Sequence, residues 1–301
     1  MQPRPNQALA AIFCHTLLDT QANRMNHTAP ASDEWLVFIG GGNMASAILG
    51  GLLRQSHPAH RICVVEPMAE TRQSLVKHFG VNVLAEPDAR LQKASQVVWA
   101  VKPQQFKAAA AQTAPFTAQA LHLSVAAGIR SDSLSQWLGS DRIVRAMPNT
   151  PALVGLGQTG LFARGGVTAA DRAWVEQVMG TTGACLWLEQ EAQLDAVTAL
   201  SGSGPAYVFY FIEAMVRAGQ NMGLSPEQAQ QLAVGTFVGA SELARASSDS
   251  PAVLRERVTS KGGTTHAALS AMQADQVAQA FERAMQAACD RAKTLGDEFG
   301  R

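Results

Sequence analysis

The sequence carries no surplus of charge of either sign: 24 Lys and Arg residues balance 24 Asp and Glu residues in 301. That balance supplies no pull toward nucleic acid or an anionic membrane, so neither is expected as a partner. No apolar run reaches the roughly eighteen residues that a membrane-spanning helix needs. Cysteine is scarce: Cys14, Cys63, Cys185 and Cys289 lie far apart, with none at metal-ligand spacing. They read as reduced thiols of a cytoplasmic protein, and no metal is expected. There is no Ser-His-Asp set, no histidine cluster and no pair of carboxylates at a telling spacing. Internal repeats and low-complexity tracts are missing too.

What is present describes a well-packed globular protein. The apolar fraction is 47% and the charged fraction 16%, and the length suits one large or two modest domains. Residues 1–33 stand apart. The stretch "ALAAIFCHTLL" (8–18) has the look of a short signal-peptide core, but Cys14 and His15 interrupt it and no small-x-small site closes it. "NHTAPASDE" (26–34) is polar, and Met25 would serve as a start just ahead of the folded part. An N-terminal extension over 1–33 is the expectation.

From Trp35 onward, short Val- and Ile-rich runs alternate with helical stretches. "WLVFIG", "RICVVE", "VNVL", "QVVWAV" and "LHLSVAA" read as strands, with helical periodicity over 43–56, 68–79, 88–94 and 103–111 between them. "RIVRAMPNTP" adds a strand ending in a proline-bracketed loop. Residues 158–188 add two strand candidates around a helix at 168–179. This alternation predicts a parallel, doubly wound α/β sheet over 34–188. Beyond it the pattern turns helical at 205–222, 226–246, 251–258, 264–272 and 274–295, an all-helical domain over 189–301.

The first strand runs into "GGGNMA". Gly40, Gly41 and Gly42, followed by Asn43 and Met44, sit where a βα turn of a dinucleotide-binding fold exposes backbone N–H groups to a pyrophosphate. Small residues at Ala45 or Ser46 take the place of the fingerprint's last glycine. Glu66, at the end of the second strand, lies where a carboxylate meets an adenosine ribose, which favours NAD. Arg72, a turn or two into the next helix, is placed to reach a 2′-phosphate instead. A solvated strand-end glutamate and a surface arginine are the alternatives. "AVKP" (Ala100, Val101, Lys102, Pro103) marks the carboxyl edge of another strand, where Lys102 is either a ligand contact or a helix-start lysine. "SKGGTT" before the helix at 264–272 offers bare amides and hydroxyls at a helix N-terminus. Thr264 or Thr265 capping that helix is the simpler reading.

Three further stretches, "RAMPNTPALV", "DAVTALSGSGPAYVFYFIEAM" and "LRERVTSKGGTTHAAL", join "FIGGGNMA" and "AVKP" in an order that resembles the pyrroline-5-carboxylate reductases. The resemblance runs from about Trp35 to the C-terminus and departs at Lys261, where many members have proline. It implies a Rossmann-like domain followed by a helical dimerisation domain. The implied reaction is NADPH-dependent reduction of 1-pyrroline-5-carboxylate to L-proline, with NADH also possible. It implies that Ser260, Gly262, Gly263, Thr264 and Thr265 line the substrate site, with Thr265 as the catalytic residue that bonds the ring nitrogen directly or through water. Asn149 is implied as a substrate-binding residue and polar contact near the nicotinamide, where a plain turn is the alternative, and Ala126 and Ala127 join the cofactor edge. A homodimer, or a larger ring of dimers, with a site shared between chains is implied as well.

Two other functions keep parts of this pattern. A β-hydroxyacid dehydrogenase shares the two-domain plan, but it needs a lysine that "GSGPAYVFYF" lacks. A non-catalytic dinucleotide sensor would keep the first half and could lose "KGGTT".

Overall fold

The computed structural model describes residues 34–300, so the expected extension over 1–33 lies outside the described residues. The first half holds eight strands and the helices between them. In chain order these are β1 (Trp35–Ile39), α1 (Asn43–Arg54), β2 (Ile62–Val65), α2 (Ala69–Phe79), β3 (Asn82–Leu84), β4 (Ala94–Trp99) and α3 (Pro103–Thr117). Next come β5 (Leu121–Ser124), α4 (Ser131–Leu138), β6 (Ile143–Met147), β7 (Gly157–Ala163), α5 (Ala169–Gly180) and β8 (Gly183–Trp187). The second half is helical: α6 (Gln193–Val197), a π-helical turn (Thr198–Gly202), α7 (Gly204–Asn221), α8 (Pro226–Ala246), α9 (Pro251–Arg257), α10 (Thr264–Ala274) and α11 (Val277–Phe299).

One sheet of order β3-β2-β1-β4-β5-β6-β7-β8 carries the first half. The apolar runs lie in its centre because both faces are covered. Leu36 and Phe38 of β1 pack with Ile48, Leu49 and Leu52 of α1, and Val175 and Met179 of α5 join the same face. Val37 and Ile39 point the other way, toward Phe106 of α3 and Leu134 of α4. The α/β class and the helical second half agree with the sequence pattern.

Three details differ. The sheet is not wholly parallel: β7 pairs antiparallel with β6, and β8 then runs parallel to β7. A turn at Thr150–Val154 brings the chain straight back, leaving no crossover helix that a parallel return would need. The stretch 88–94 is a 3₁₀ turn (Ala89–Lys93) rather than a helix, because Asp88 caps it and Ala94 already begins β4. Finally, a short helix, α4, forms over a serine-rich stretch in which the sequence reading places no helix, its Leu134, Trp137 and Leu138 at helical spacing. Its Leu134 and Leu138 are buried, and the Glu191 carboxylate accepts the N–H of Ser131 at 2.6 Å from outside the helix.

The helices of the second half leave apolar side chains uncovered. Phe209 and Tyr210 on α7 are 64% and 65% exposed, and Leu232, Val238 and Leu243 of α8 are exposed with them. An area of this kind on a folded chain marks a contact surface. No helix among the described residues is long and apolar enough to cross a membrane.

Candidate active site

The order of the sheet reverses between β1 and β4, and ligands of open α/β sheets lie beyond the carboxyl ends of strands at that point. Gly40 ends β1 with φ +94°, and a Cβ there would stand 2.7 Å from the carbonyl oxygen of Ala100 and 3.1 Å from Val101. Only glycine fits. The Ala100 N–H donates to Ile39 at 2.8 Å and the Val125 N–H to Trp99 at 3.0 Å, so the ends of β1, β4 and β5 form one rim. Ala100, Val101, Lys102 and Pro103 sit on it, with Lys102 exposed at the N-cap of α3 and Pro103 in its first turn. Ala126 and Ala127 follow β5 at the same edge, where the Ala126 N–H donates to the Ser124 hydroxyl at 3.3 Å.

Gly42 is the N-cap of α1, exposed, and a Cβ built on it would meet nothing within 4 Å. The N–H groups that begin the helix at Asn43 and Met44 therefore open on free space. Ala45 is fully buried against the sheet, as a close helix–strand contact requires. A pyrophosphate fits this cradle: bare amides, a helix N-terminus and no side chain in the way.

Glu66 is the centre of the rim's other end. It is 8% exposed, and its Oε2 accepts the Gly41 N–H while its Oε1 accepts the Met68 N–H, each at 2.9 Å. The Arg72 guanidinium donates through Nη1 to the carbonyls of Glu66 (2.8 Å) and Pro67 (2.7 Å). Thus Glu66 braces the glycine loop from within the protein. It is not the solvated strand-end residue of the simpler reading. Gly41 is tight as well, since a Cβ on it would come 2.6 Å from Leu75.

On the helical side, α10 takes Gly263 as its N-cap, without a side-chain cap. Thr264 and Thr265 follow inside the helix, so neither caps it. The bonds of this segment stay local: Gly263 donates to the Ser260 carbonyl and Ala267 to the Gly263 carbonyl. Gly262 has φ +75°, and a Cβ on Gly263 would clash with the Ser260 hydroxyl at 2.5 Å. Thr265 is half-buried, and its hydroxyl has no hydrogen-bond partner among the described residues. Asn149, by contrast, is engaged at both ends of its carboxamide. Its Oδ1 accepts the Gln158 N–H at 2.9 Å and its Nδ2 donates to the Ser201 carbonyl at 3.0 Å.

The sequence reading missed a charged cluster beneath the rim. Arg145 of β6 is buried and pairs with Glu191 at 2.5 Å, and Glu191 also accepts from the Ser131 hydroxyl at 2.6 Å. Burial works against the charge of Glu191, but the Ser131 bonds and the Arg145 guanidinium outweigh it and hold the carboxyl below its ordinary range. A lone arginine at an inward position of "RIVRAM" is the signal that could have pointed to it.

With this geometry in hand, comparison with known proteins is informative. A family model described as pyrroline-5-carboxylate reductase dimerisation matches residues 191–295, and one described as NADP oxidoreductase, coenzyme F420-dependent, matches 36–128. A pyrroline-5-carboxylate reductase of Pseudomonas aeruginosa is 44% identical over 268 residues, covering 88% of this chain and 98% of its own. The chain belongs to the pyrroline-5-carboxylate reductase family. A solved structure of a family member from Coxiella burnetii superposes with a TM-score of 0.82 at 36% identity, over 88% of this chain and 99% of that one. The enzyme from Plasmodium falciparum, solved with NADP bound, gives 0.79 at 28% identity over 88% and 98%. The family's helical part is its dimerisation domain, and here that part carries the uncovered apolar helices.

Proposed function

We propose that this chain reduces 1-pyrroline-5-carboxylate to L-proline with a reduced nicotinamide dinucleotide, accepting NADH but preferring NADPH. The reading is carried by one observation: a pyrophosphate-ready rim at the β1/β4 reversal in a chain related over nearly its whole length to reductases of that name. When bound, the dinucleotide supplies a hydride to C5 of the imine. The ring nitrogen of the protonated imine keeps its proton and takes up the electron pair of the C=N bond. Such an imine is already electrophilic, so the protein's task is to orient it.

Each group has a part in that task. Gly42, Asn43 and Met44 offer the pyrophosphate their backbone N–H groups, while the Gly40 N–H is held by the Val65 carbonyl and the Gly41 N–H by Glu66, which fixes the loop. Arg72 commits only Nη1 to the two carbonyls, which leaves the rest of its guanidinium for a 2′-phosphate, and this is the basis for preferring NADPH. Glu66 opposes that choice by charge, although two backbone N–H groups already share its carboxylate. Ala100 to Pro103, with Ala126 and Ala127, line the nicotinamide half. Amides and hydroxyls over Ser260–Thr265 receive the substrate carboxylate, and Thr265 bonds the ring nitrogen. Two chains pair through the helical domain, 189–301, so that the nucleotide domain of one, 34–188, faces the partner's Ser260–Thr265. Such dimers can close into a larger ring, and the enzyme works in the cytoplasm.

The deciding experiment follows NADPH oxidation with 1-pyrroline-5-carboxylate and, separately, with 3-oxoacids. Turnover of the imine alone is the expected outcome. Turnover of the oxoacids alone would replace this reading with the β-hydroxyacid dehydrogenase one.

A further inference from the structure

We infer that Asn149 is a positioning residue: its carboxamide ties the loop after β6 to the π-helical turn from which the helical domain departs. The need for such a tie is written in the sequence of the turn. In a regular helix the Ser201 carbonyl would receive the N–H of residue 205, but residue 205 is proline and has none. Instead the Ser203 N–H bonds the Thr198 carbonyl at 2.8 Å, a π-type closure, which leaves the Ser201 carbonyl in need of a donor from elsewhere. A half-buried carbonyl without a partner is costly. Asn149, itself 7% exposed, supplies the donor.

A carboxamide alone suits both sides of this junction. Its oxygen accepts the Gln158 N–H at the start of β7 while its nitrogen donates to Ser201. Aspartate could do the first and not the second; alanine could do neither. Close packing surrounds the junction. A Cβ on Gly202 of the π turn would lie 2.6 Å from the Met147 methyl of β6, and one on Gly160 of β7 would lie 2.9 Å from Val197 at the end of α6. The π turn thus follows a helix packed on β7, and Asn149 fixes the point at which α7 leaves the sheet. Since α7 begins the helical domain through which two chains pair, the tie sets how this chain's rim stands against the partner's substrate segment. With Oδ1 and one Nδ2 hydrogen committed here, this is a different role from the nicotinamide contact that the family resemblance implies.

The kinetic arm of the test rests on the function proposed above, and a second arm does not. Asn149→Asp and Asn149→Ala are each expected to lower kcat about tenfold or more, with the Kd for NADPH within about twofold of the parent. Adding Pro205→Ala gives Ser201 an N–H within its own helix, so it is expected to recover at least about threefold of the kcat lost in Asn149→Ala. A Kd that rises in step with the kcat loss, or a Pro205→Ala effect that is merely additive, would overturn the inference. If the parent protein turns over no imine, the proposed function fails, and amide hydrogen exchange decides the inference instead. Faster exchange over 198–206 in Asn149→Asp, with Gly40–Arg54 unchanged, is the supporting result; an unchanged 198–206 overturns it.

Discussion

The buried carboxylate of Glu66 accepts the N–H of Gly41 at 2.9 Å across 25 residues of sequence, so the end of β2 holds the glycine loop after β1 in place. Glu66→Gln keeps one acceptor and sets an NH₂ against the other backbone N–H. Stability is expected to fall by about 1–3 kcal/mol, the usual cost of losing a buried hydrogen bond to a charged group. Kd should rise for NADH and NADPH alike, because the loop rather than the ribose is disturbed. Calorimetric titration with both dinucleotides checks this, and a selective loss of NADH binding would mean that Glu66 acts on the ribose.

Arg72 separates the two dinucleotides. Arg72→Ala is expected to raise KM for NADPH several-fold more than for NADH, since only NADPH brings the phosphate charge. Equal effects in steady-state kinetics would place the guanidinium's role in holding the carbonyls of Glu66 and Pro67.

With Gly263 as the N-cap of α10, the Thr265 hydroxyl carries no structural duty there. Thr265→Ala should therefore reduce kcat/KM by about ten- to 150-fold, the worth of roughly 1.5–3 kcal/mol for a hydrogen bond to a charged group. Unfolding free energy should move by less than about 0.5 kcal/mol. Mixed with chains carrying Gly42→Trp, the variant should regain activity once exchange has produced hybrid dimers. Demonstrated exchange without recovery would rule out a site shared between chains.

A pH effect on stability follows from His122, fully buried in β5. Burial, with the charge of Arg142 adding to it, pushes the imidazole down to about 4, and its Nδ1 accepts the indole N–H of Trp99 at 3.0 Å. The unfolded chain titrates this histidine near 6.5, so between about 6.5 and 4 the unfolded state binds the extra proton. The contribution of His122 is intact above pH 6.5 and is lost as pH falls, by roughly 2 kcal/mol at pH 5. Urea unfolding at pH 7 and pH 5 should show a smaller loss for His122→Gln than for the parent.

The sequence is most legible where one cause acts locally. Three glycines between an apolar run and a helical one locate the β1–α1 turn, since a φ of +94° at Gly40 admits little else. Helix α8 announces itself through Ser225 and Pro226, and Ser225 indeed forms a capping box with Gln228. What escapes is made by partners distant in the chain. Helix α4 has Leu134, Trp137 and Leu138 at helical spacing, but the Glu191 carboxylate that receives the Ser131 N–H at its start lies sixty residues on, outside any local window. The direction of β7 is likewise absent from its own alternation. It is imposed by the short turn before it. Glu66 lay in view, but its position suggested a ribose ligand, and only the folded loop reveals Gly41 against it.

The Arg145–Glu191–Ser131 cluster bears on how the protein can be divided in the laboratory. Glu191 lies three residues past Leu188, where the strand-and-helix pattern ends, yet both of its partners belong to the sheet half. A fragment ending at Leu188 would strand a buried guanidinium and uncap α4. One ending after Gly202 would retain Glu191 and the Ser201 carbonyl that Asn149 engages. The shorter fragment should aggregate on expression, and the longer one is the place to begin when isolating the nucleotide-binding half.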